Sequence, residues 1–559
     1  MRTPRAISAI ALALALTLSA GVADAAARPA STQPDFGAFL VGQFAFSQSD
    51  PGRAAPAYLR ALAADPDNPL LLREAFLASL LSGQKDAVRL ARQLPDNQLA
   101  QLLLANQAAK SGHWAAATQR FHALSSQGLG ALVRPLLLSW AEQGDGRTEA
   151  ALATLRPYAE GQTFPGLYAL NAAMIADLAG RNAAAARYYH IAQSRGGAPG
   201  LTEAQSLASW QARQGDKVGA LATLAALARG QQAFAMVLPA LARNIETRPV
   251  NSPIDGMAQV YIALSSAPGE QNVPELSMAM LRLALDLEPD LAAARFQASL
   301  LLSDDDHPAQ ALAMLGTIPR NDPVAPLMVL EAASLQSDLG RDADAIASLQ
   351  TLAAAHPDSP LPDQQLGDLF LDRHRYKEAV AAYDRALARV TPPAPDAWHL
   401  YYTRGIAYDR SGEWPKAEAD FRQALHISPD QPAVLNYLGY SLADRNQDLS
   451  QAAAMIERAV ARLPQDGAIV DSLGWVRLRQ GDIAGAVRAL ERAVELEPGD
   501  PEINTHLGVA YWQAGRKLEA IYQWHRALNL SPSPKEAAHI RALLQQDTLA
   551  APLSMRASP

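Results

Sequence analysis

Residues 467–498 return 34 positions later as residues 501–532: Gly474, Gly481, Ala486, Ala493 and Pro498 are matched by Gly508, Gly515, Ala520, Ala527 and Pro532. A period of this length constrains the chain more than composition does, because one unit cannot bury its own apolar face and has to stack on the next. Within the unit, Val470, Leu473, Gly474 and Arg477 lie three or four apart and share one face of a helix. Ala486, Leu490 and Ala493 share a face of a second helix. A glycine inside a helix costs about 1 kcal/mol relative to alanine, so Gly474 and Gly508 are expected to offset that cost through close packing. The spacing predicts Leu490 wedged over Gly474, and Gly508 docked on the helix that carries Ala520 and Trp524.

The pattern extends upstream. Gly439, Ala459 and Pro464 keep the phase with one residue inserted at Arg445-Asn446-Gln447-Asp448. Gly405, Tyr408, Gly412, Ala417, Phe421, Ala424 and Pro429 form the unit before it. Leu366, Gly367, Phe370, Ala379, Tyr383 and Ala386 form another, set apart by an expansion within TPPAPDAW, and Gly340, Ala345, Leu349 and Pro357 continue the series. Near the start of the chain, Gly42, Ala54, Tyr58, Ala61 and Pro66 have the spacing of Gly474, Ala486, Leu490, Ala493 and Pro498. Weaker units surround Gly83, Gly112, Trp140 with Gly144, Gly180 and Gly215, for roughly thirteen or fourteen units in all. Two stretches break the beat, Asn244 to Gly256 and Ser265 to Glu275; their proline, glycine and polar clusters read as loops and place a junction near residue 250. After the last unit, Ser533, Pro534 and Glu536 form a capping box, and Ala537, Ile540 and Leu544 give the apolar stripe of a terminal capping helix.

Small residues at fixed offsets in a 34-residue helix-turn-helix unit closed by proline resemble the tetratricopeptide repeat (TPR). The resemblance implies an all-α fold, a TPR solenoid: a right-handed superhelix of helix-turn-helix repeats, here in two solenoid segments. The expected organisation is an export signal at 1–25, a flexible stretch at 26–36, degenerate repeats at 37–250 and irregular repeats with loop insertions at 251–360. Well-formed repeats at 361–532, a capping helix at 533–547 and a disordered tail at 548–559 complete it.

Arg2 and Arg5 precede an uncharged apolar run, Ala6 to Ala23, and Ala23-Asp24-Ala25 has the small-residue spacing that signal peptidase reads. Export with cleavage before Ala26 is expected, leaving no stable membrane anchor. The chain contains no cysteine, hence no disulfide, thiol nucleophile, cysteine metal site or lipidated cysteine. Together these point to the periplasm of a Gram-negative bacterium. A net charge of −8 offers no general basic field, so nucleic acid is set aside as a partner.

Hydrolytic and metal chemistry have no foothold in the motifs. The histidines form no H-E-x-x-H arrangement, there is no G-x-S-x-G elbow, and Gly128-Leu129-Gly130 lacks the context of a phosphate loop. Asp304-Asp305-Asp306-His307 reads as a solvated cap in a turn. No metal site, no cofactor and no enzymatic activity are expected, since the repeats consume the stretch a catalytic domain would need.

The face of each first helix that points away from its partner helix lines the concave surface of such a stack. It carries Tyr402, Ile406, Asp409 and Arg410; Asn436, Tyr440 and Asp444; Asp471, Trp475 and Arg479; and Thr505, Val509, Trp512 and Gln513. Rigid aromatics and arginines beside asparagine and aspartate suit a peptide-binding groove. The candidate groove residues are Tyr402, Arg410, Asn436, Tyr440, Asp444, Asp471, Trp475, Arg479 and Trp512. The segments LNYLGYSLADR, DSLGW and HLGVAYWQAGRKLEA are similar to exported bacterial TPR proteins, in particular to TPR adaptor lipoproteins of C-terminal processing proteases. That resemblance covers residues 430 to 532 and implies a non-enzymatic adaptor in cell-envelope maintenance whose partner is an envelope protease or its substrates. The missing lipidated cysteine departs from the pattern, as do Asn436, Tyr440, Asp471 and Trp475 from the lysine and asparagine clamp of carboxylate-binding TPRs. The alternative class is a TPR component of a polysaccharide synthesis or export machinery, with a glycan export subunit as partner and the aromatics stacking on sugar.

Overall fold

The computed structural model describes residues 35–550 apart from 195–198, 231, 267–273, 320 and 391–393. The export signal, most of the 26–36 stretch and the last nine residues lie outside the described residues. Among the described residues the regular structure is helical, thirty α-helices with no strand. The helices pair into antiparallel hairpins, from Phe36–Ser47 with Pro51–Ala64 at one end to Pro501–Gln513 with Lys517–Asn529 at the other.

One contact rule builds the hairpins. A Cβ added to Gly42 would lie 2.8 Å from the Tyr58 ring, and one on Gly367 2.5 Å from Tyr383. One on Gly405 would meet Phe421 at 2.6 Å, on Gly474 Leu490 at 2.4 Å and on Gly508 the Trp524 indole at 2.3 Å. In each case the large residue follows the glycine by sixteen positions. For Gly439 and Ile456 the interval is seventeen, because the insertion at Arg445–Asp448 lengthens the turn by one residue. Trp524, 1% exposed, also donates from Nε1 to the Thr505 carbonyl, 3.3 Å away, so it is both wedge and hydrogen-bonded strut. The second glycine of the repeat has a different purpose: Gly481 and Gly515 sit at φ 85° and 80°, the left-handed conformation that ends the first helix. Gly508→Leu overpacks this joint and is expected to cost about 1–3 kcal/mol or more; unchanged thermal unfolding would contradict the docking.

The ends of the stack are treated differently. Pro534–Ala550 closes the C-terminal end; the Ser533 amide donates to Glu536 Oε2 (2.8 Å), the Glu536 amide to Ser533 Oγ (3.3 Å), and Ile540 is buried. The first helix, Phe36–Ser47, leaves Phe36, Leu40 and Phe44 exposed.

The structure departs from the sequence expectation between residues 244 and 287. Asn244 to Gly256 was expected to be a loop, but a helix begins at Pro253. Ser252 and Asp255 form its capping box, with Ser252 Oγ accepting from the Asp255 amide at 3.2 Å and Asp255 Oδ2 accepting from the Asn251 and Ser252 amides. The hairpin of Pro253–Ser265 and Pro274–Leu287 then leaves the series and crosses the inner layer of the N-terminal half. Its first helix packs on Gly128–Gly144 and Pro165–Leu178, its second on Pro69–Ser82 and Gln98–Lys110. Gly256 makes the crossing close, since a Cβ there would lie 2.3 Å from the Trp140 indole. Tyr261, fully buried, donates to Asn106 Oδ1 (2.9 Å), while Asn106 Nδ2 donates to the Leu283 carbonyl (3.2 Å). Gln107 Nε2 adds a hydrogen bond to Asp286 at 2.8 Å. The concave face of the N-terminal half is therefore filled by the chain itself.

Candidate functional site

In the C-terminal half the inner layer consists of Leu361–Asp372, Trp398–Arg410, Pro432–Asp444, Gly467–Gln480 and Pro501–Gln513. Among the described residues these helices pack substantially only within their hairpins, on adjacent hairpins and, at Trp398–Arg410, on the short 3-10 turn Pro395–Ala397 that leads into that helix. The face they present inward is open.

The structure brings three of the sequence-predicted groove residues together and sets the others apart. Tyr440, Asp471 and Trp475 surround His506, which the sequence reading passed over, while Asn436 stands half-buried on the helix Pro432–Asp444. His506 Nδ1 meets Asp471 Oδ2 at 2.8 Å, its Nε2 lies 4.0 Å from Glu502 Oε1, and the Trp475 indole stacks on the ring with centroids 4.3 Å apart and planes 24° apart. Tyr440 spans two repeats to donate to Glu502 Oε1 at 3.1 Å. Asp471 and His506 are both buried, at 5% and 7% exposure, so Asp471 serves the floor of the groove. Burial favours the neutral imidazole, but the Asp471 and Glu502 carboxylates outweigh it and hold the His506 pKa above its ordinary value. Asn436 Oδ1, Asp471 Oδ1 and Trp475 Nε1 are buried with no hydrogen-bond partner among the described residues; each atom left so costs about 1–3 kcal/mol.

Tyr402 is half-buried in an aromatic cluster with Trp398, Phe421 and Tyr437, the last in an edge contact at 6.0 Å and 87°. Arg410 is exposed at the rim. Asp444 is exposed too, while the Ala443 and Asp444 carbonyls accept from Arg479 Nε and Nη2, each at 3.2 Å, so Arg479 ties one repeat to the next. Trp512 packs on Trp524 at 5.5 Å with the Lys517 ammonium 4.9 Å above its ring, at the end of the last hairpin and away from the His506 cluster. His506 lies thirty-five residues after Asp471, one more than the repeat, and Glu502 precedes it by one helical turn. That off-by-one relation was the available signal.

The two halves share a register. Trp140 and Asn106 lie six residues before their turn glycines, Gly146 and Gly112, as Trp475 lies before Gly481 and Tyr440 before the turn residue Asn446. In the N-terminal half that position is covered by the helix of Gly256; in the C-terminal half it faces the open groove.

A stack of helical hairpins with one filled and one open concave face defines a helical-repeat interaction scaffold. Residues 365–432, 402–467 and 472–533 match the tetratricopeptide repeat family, and the fold of the described residues is all-α, consistent with a TPR solenoid. It is 38% identical over 87 residues to a TPR repeat-containing protein of Pseudomonas aeruginosa, covering 16% of this chain and 15% of that relative. It is 34% identical over 96 residues to bacteriophage adsorption protein A of Escherichia coli, covering 17% and 10%. The matches thus span only a small part of either relative. Among solved structures, a tetratricopeptide repeat protein from Parabacteroides merdae is 16% identical over 45% of this chain and 96% of that one, with a TM-score of 0.36. YrrB, described as a TPR protein with an unusual peptide-binding site, is 21% identical over 35% and 97%, with a TM-score of 0.28.

Proposed function

We propose that this chain is an exported, non-enzymatic scaffold of the periplasm that holds a segment of a protein partner in the groove between residues 398 and 532, in the service of cell-envelope maintenance. The observation that carries the reading is the contrast between the halves. The same register that buries Trp140 and Asn106 fully under helices of this chain leaves Tyr440 and Trp475 half-buried, with no helix of the chain laid over them among the described residues. The N-terminal half offers an example of how such a face is covered, by a helix with a small residue against the tryptophan, as Gly256 lies against Trp140. An amphipathic helix laid into an apolar groove is a recurring mode of peptide recognition.

The test is affinity purification from envelope extracts with the wild type and a Tyr440→Ala, Trp475→Ala double variant whose helical content is matched by circular dichroism. Loss of an envelope protease or its substrates from the variant supports the adaptor reading. Loss of glycan synthase or export subunits supports the polysaccharide class instead. Retention of every partner removes the groove assignment. Amino-terminal sequencing of the mature protein should begin at Ala26, and recovery from the cytosol would refute the location.

A further inference from the structure

At the other end of the molecule, an open cleft of about 1670 Å³ lies between the hairpins of residues 51–91 and the helices Pro274–Leu287, Ala292–Asp304 and Pro308–Leu315. It exceeds the roughly 300–1,000 Å³ of most small-molecule sites. Met278, Leu285, Leu302 and Met314 give it apolar walls, and Arg282 stands among them. Arg282 donates from Nε to the Leu81 carbonyl at 2.6 Å, and this is its only hydrogen bond among the described residues. Asp286, one turn further on, is committed to Gln107 and Lys110. Arg479 also donates to helix-end carbonyls, but from an exposed position. Arg282 is largely buried without a carboxylate, and burial alone pushes its pKa down to about 10. A buried guanidinium without a counter-ion is costly unless an anion joins it.

We infer that this cleft binds a peptide segment that presents a carboxylate to Arg282 and apolar side chains to the walls around it. The lining holds as many carboxylates as cations, but Asp50, Asp286 and Asp290 are paired with Arg53, Lys110 and Arg295, and Arg282, in none of these pairs, selects the anion. The walls select a peptide over an acyl chain, because Gln84, Gln310 and Thr317 share the cleft with backbone at Gly83 and Gly316. A peptide's amides can pair with these groups; a hydrocarbon chain would leave them unpaired. The site lies outside the C-terminal groove and stands or falls separately from it.

The test uses the full mature chain and a fluorescein-labelled pool of short peptides of leucine, methionine, alanine and serine with free C-terminal carboxylates, alongside the same pool amidated. In fluorescence anisotropy the acid pool should bind at least about tenfold more tightly than the amide pool, a difference of about 1.4 kcal/mol. Arg282→Gln should abolish the difference, Arg282→Lys should retain part of it, and the Tyr440→Ala, Trp475→Ala variant should leave it intact. Met314→Trp, which fills the cleft without touching the Arg282 bond to Leu81, should abolish binding, and it decides the matter if Arg282→Gln fails to fold. Equal binding of the two pools, discrimination that survives in folded Arg282→Gln, or displacement of the peptides by oleate would overturn the assignment.

Discussion

Gly256→Leu is expected to unseat the inner hairpin of the N-terminal half. A Cβ at Gly256 already falls 2.3 Å from the Trp140 indole, and that indole cannot retreat: it is fully buried and its Nε1 donates to Asn171 Oδ1 at 2.8 Å. Overpacking a rigid core costs about 1–3 kcal/mol, and here the strain threatens further contacts on the same hairpin. Tyr261 and its bond to Asn106 would lose register, and Asn106 would be left with unpaired buried amide atoms. The expected outcome is a fall in thermal stability of several degrees or more and faster hydrogen exchange across residues 69–178 and 253–287, with residues 398–530 unchanged. Uniform exchange over the whole chain would show that the two halves unfold together, and unaltered stability would show that the hairpin does not depend on this approach.

The second large effect belongs to Asp471. Breaking a buried ion pair by removing one partner costs about 3–5 kcal/mol. Asp471→Ala is expected near the low end, because Glu502 stays 4.0 Å from the other ring nitrogen and the imidazole can release its proton. The pH dependence identifies the pair. The folded-state pKa of His506 is raised, so the stability it contributes is fully present below its unfolded value of about 6.5 and is lost as pH rises through the folded value. Wild-type stability in the last repeats should therefore decline as pH rises above about 6.5, and Asp471→Ala should flatten that decline. Chemical denaturation at a series of pH values, followed by tryptophan fluorescence because Trp475 stacks on the imidazole, measures both. A variant that keeps the wild-type slope would place the titrating group elsewhere.

The hairpins were legible because their contacts are local in sequence. Gly474 with Leu490 and Gly508 with Trp524 sit at the spacing read from the repeat, and the inserted residue before Asp448 shifts the Gly439 contact by one. The capping box at Ser533 and Glu536 was legible for the same reason. The one at Ser252 and Asp255 has equally plain chemistry, but prolines and polar residues around it gave the stretch the look of a loop. In the groove, Tyr440 and Trp475 were found from the register. Asp471 was found too, but as a residue for a partner; the structure gives it to His506, whose position one residue off the period concealed it.

The sequence by itself determined that this protein is a stack of α-helical hairpins, how those of the C-terminal half close and where the last one is capped, because a repeat encodes nearest-neighbour packing and little else. Only the tertiary structure decided which concave face is free. That depends on Tyr261 reaching Asn106 and Arg282 reaching Leu81, residues 155 and 201 positions apart. They meet because the hairpin of residues 253–287 crosses the inner layer of the N-terminal half, a long-range packing that no single repeat unit encodes.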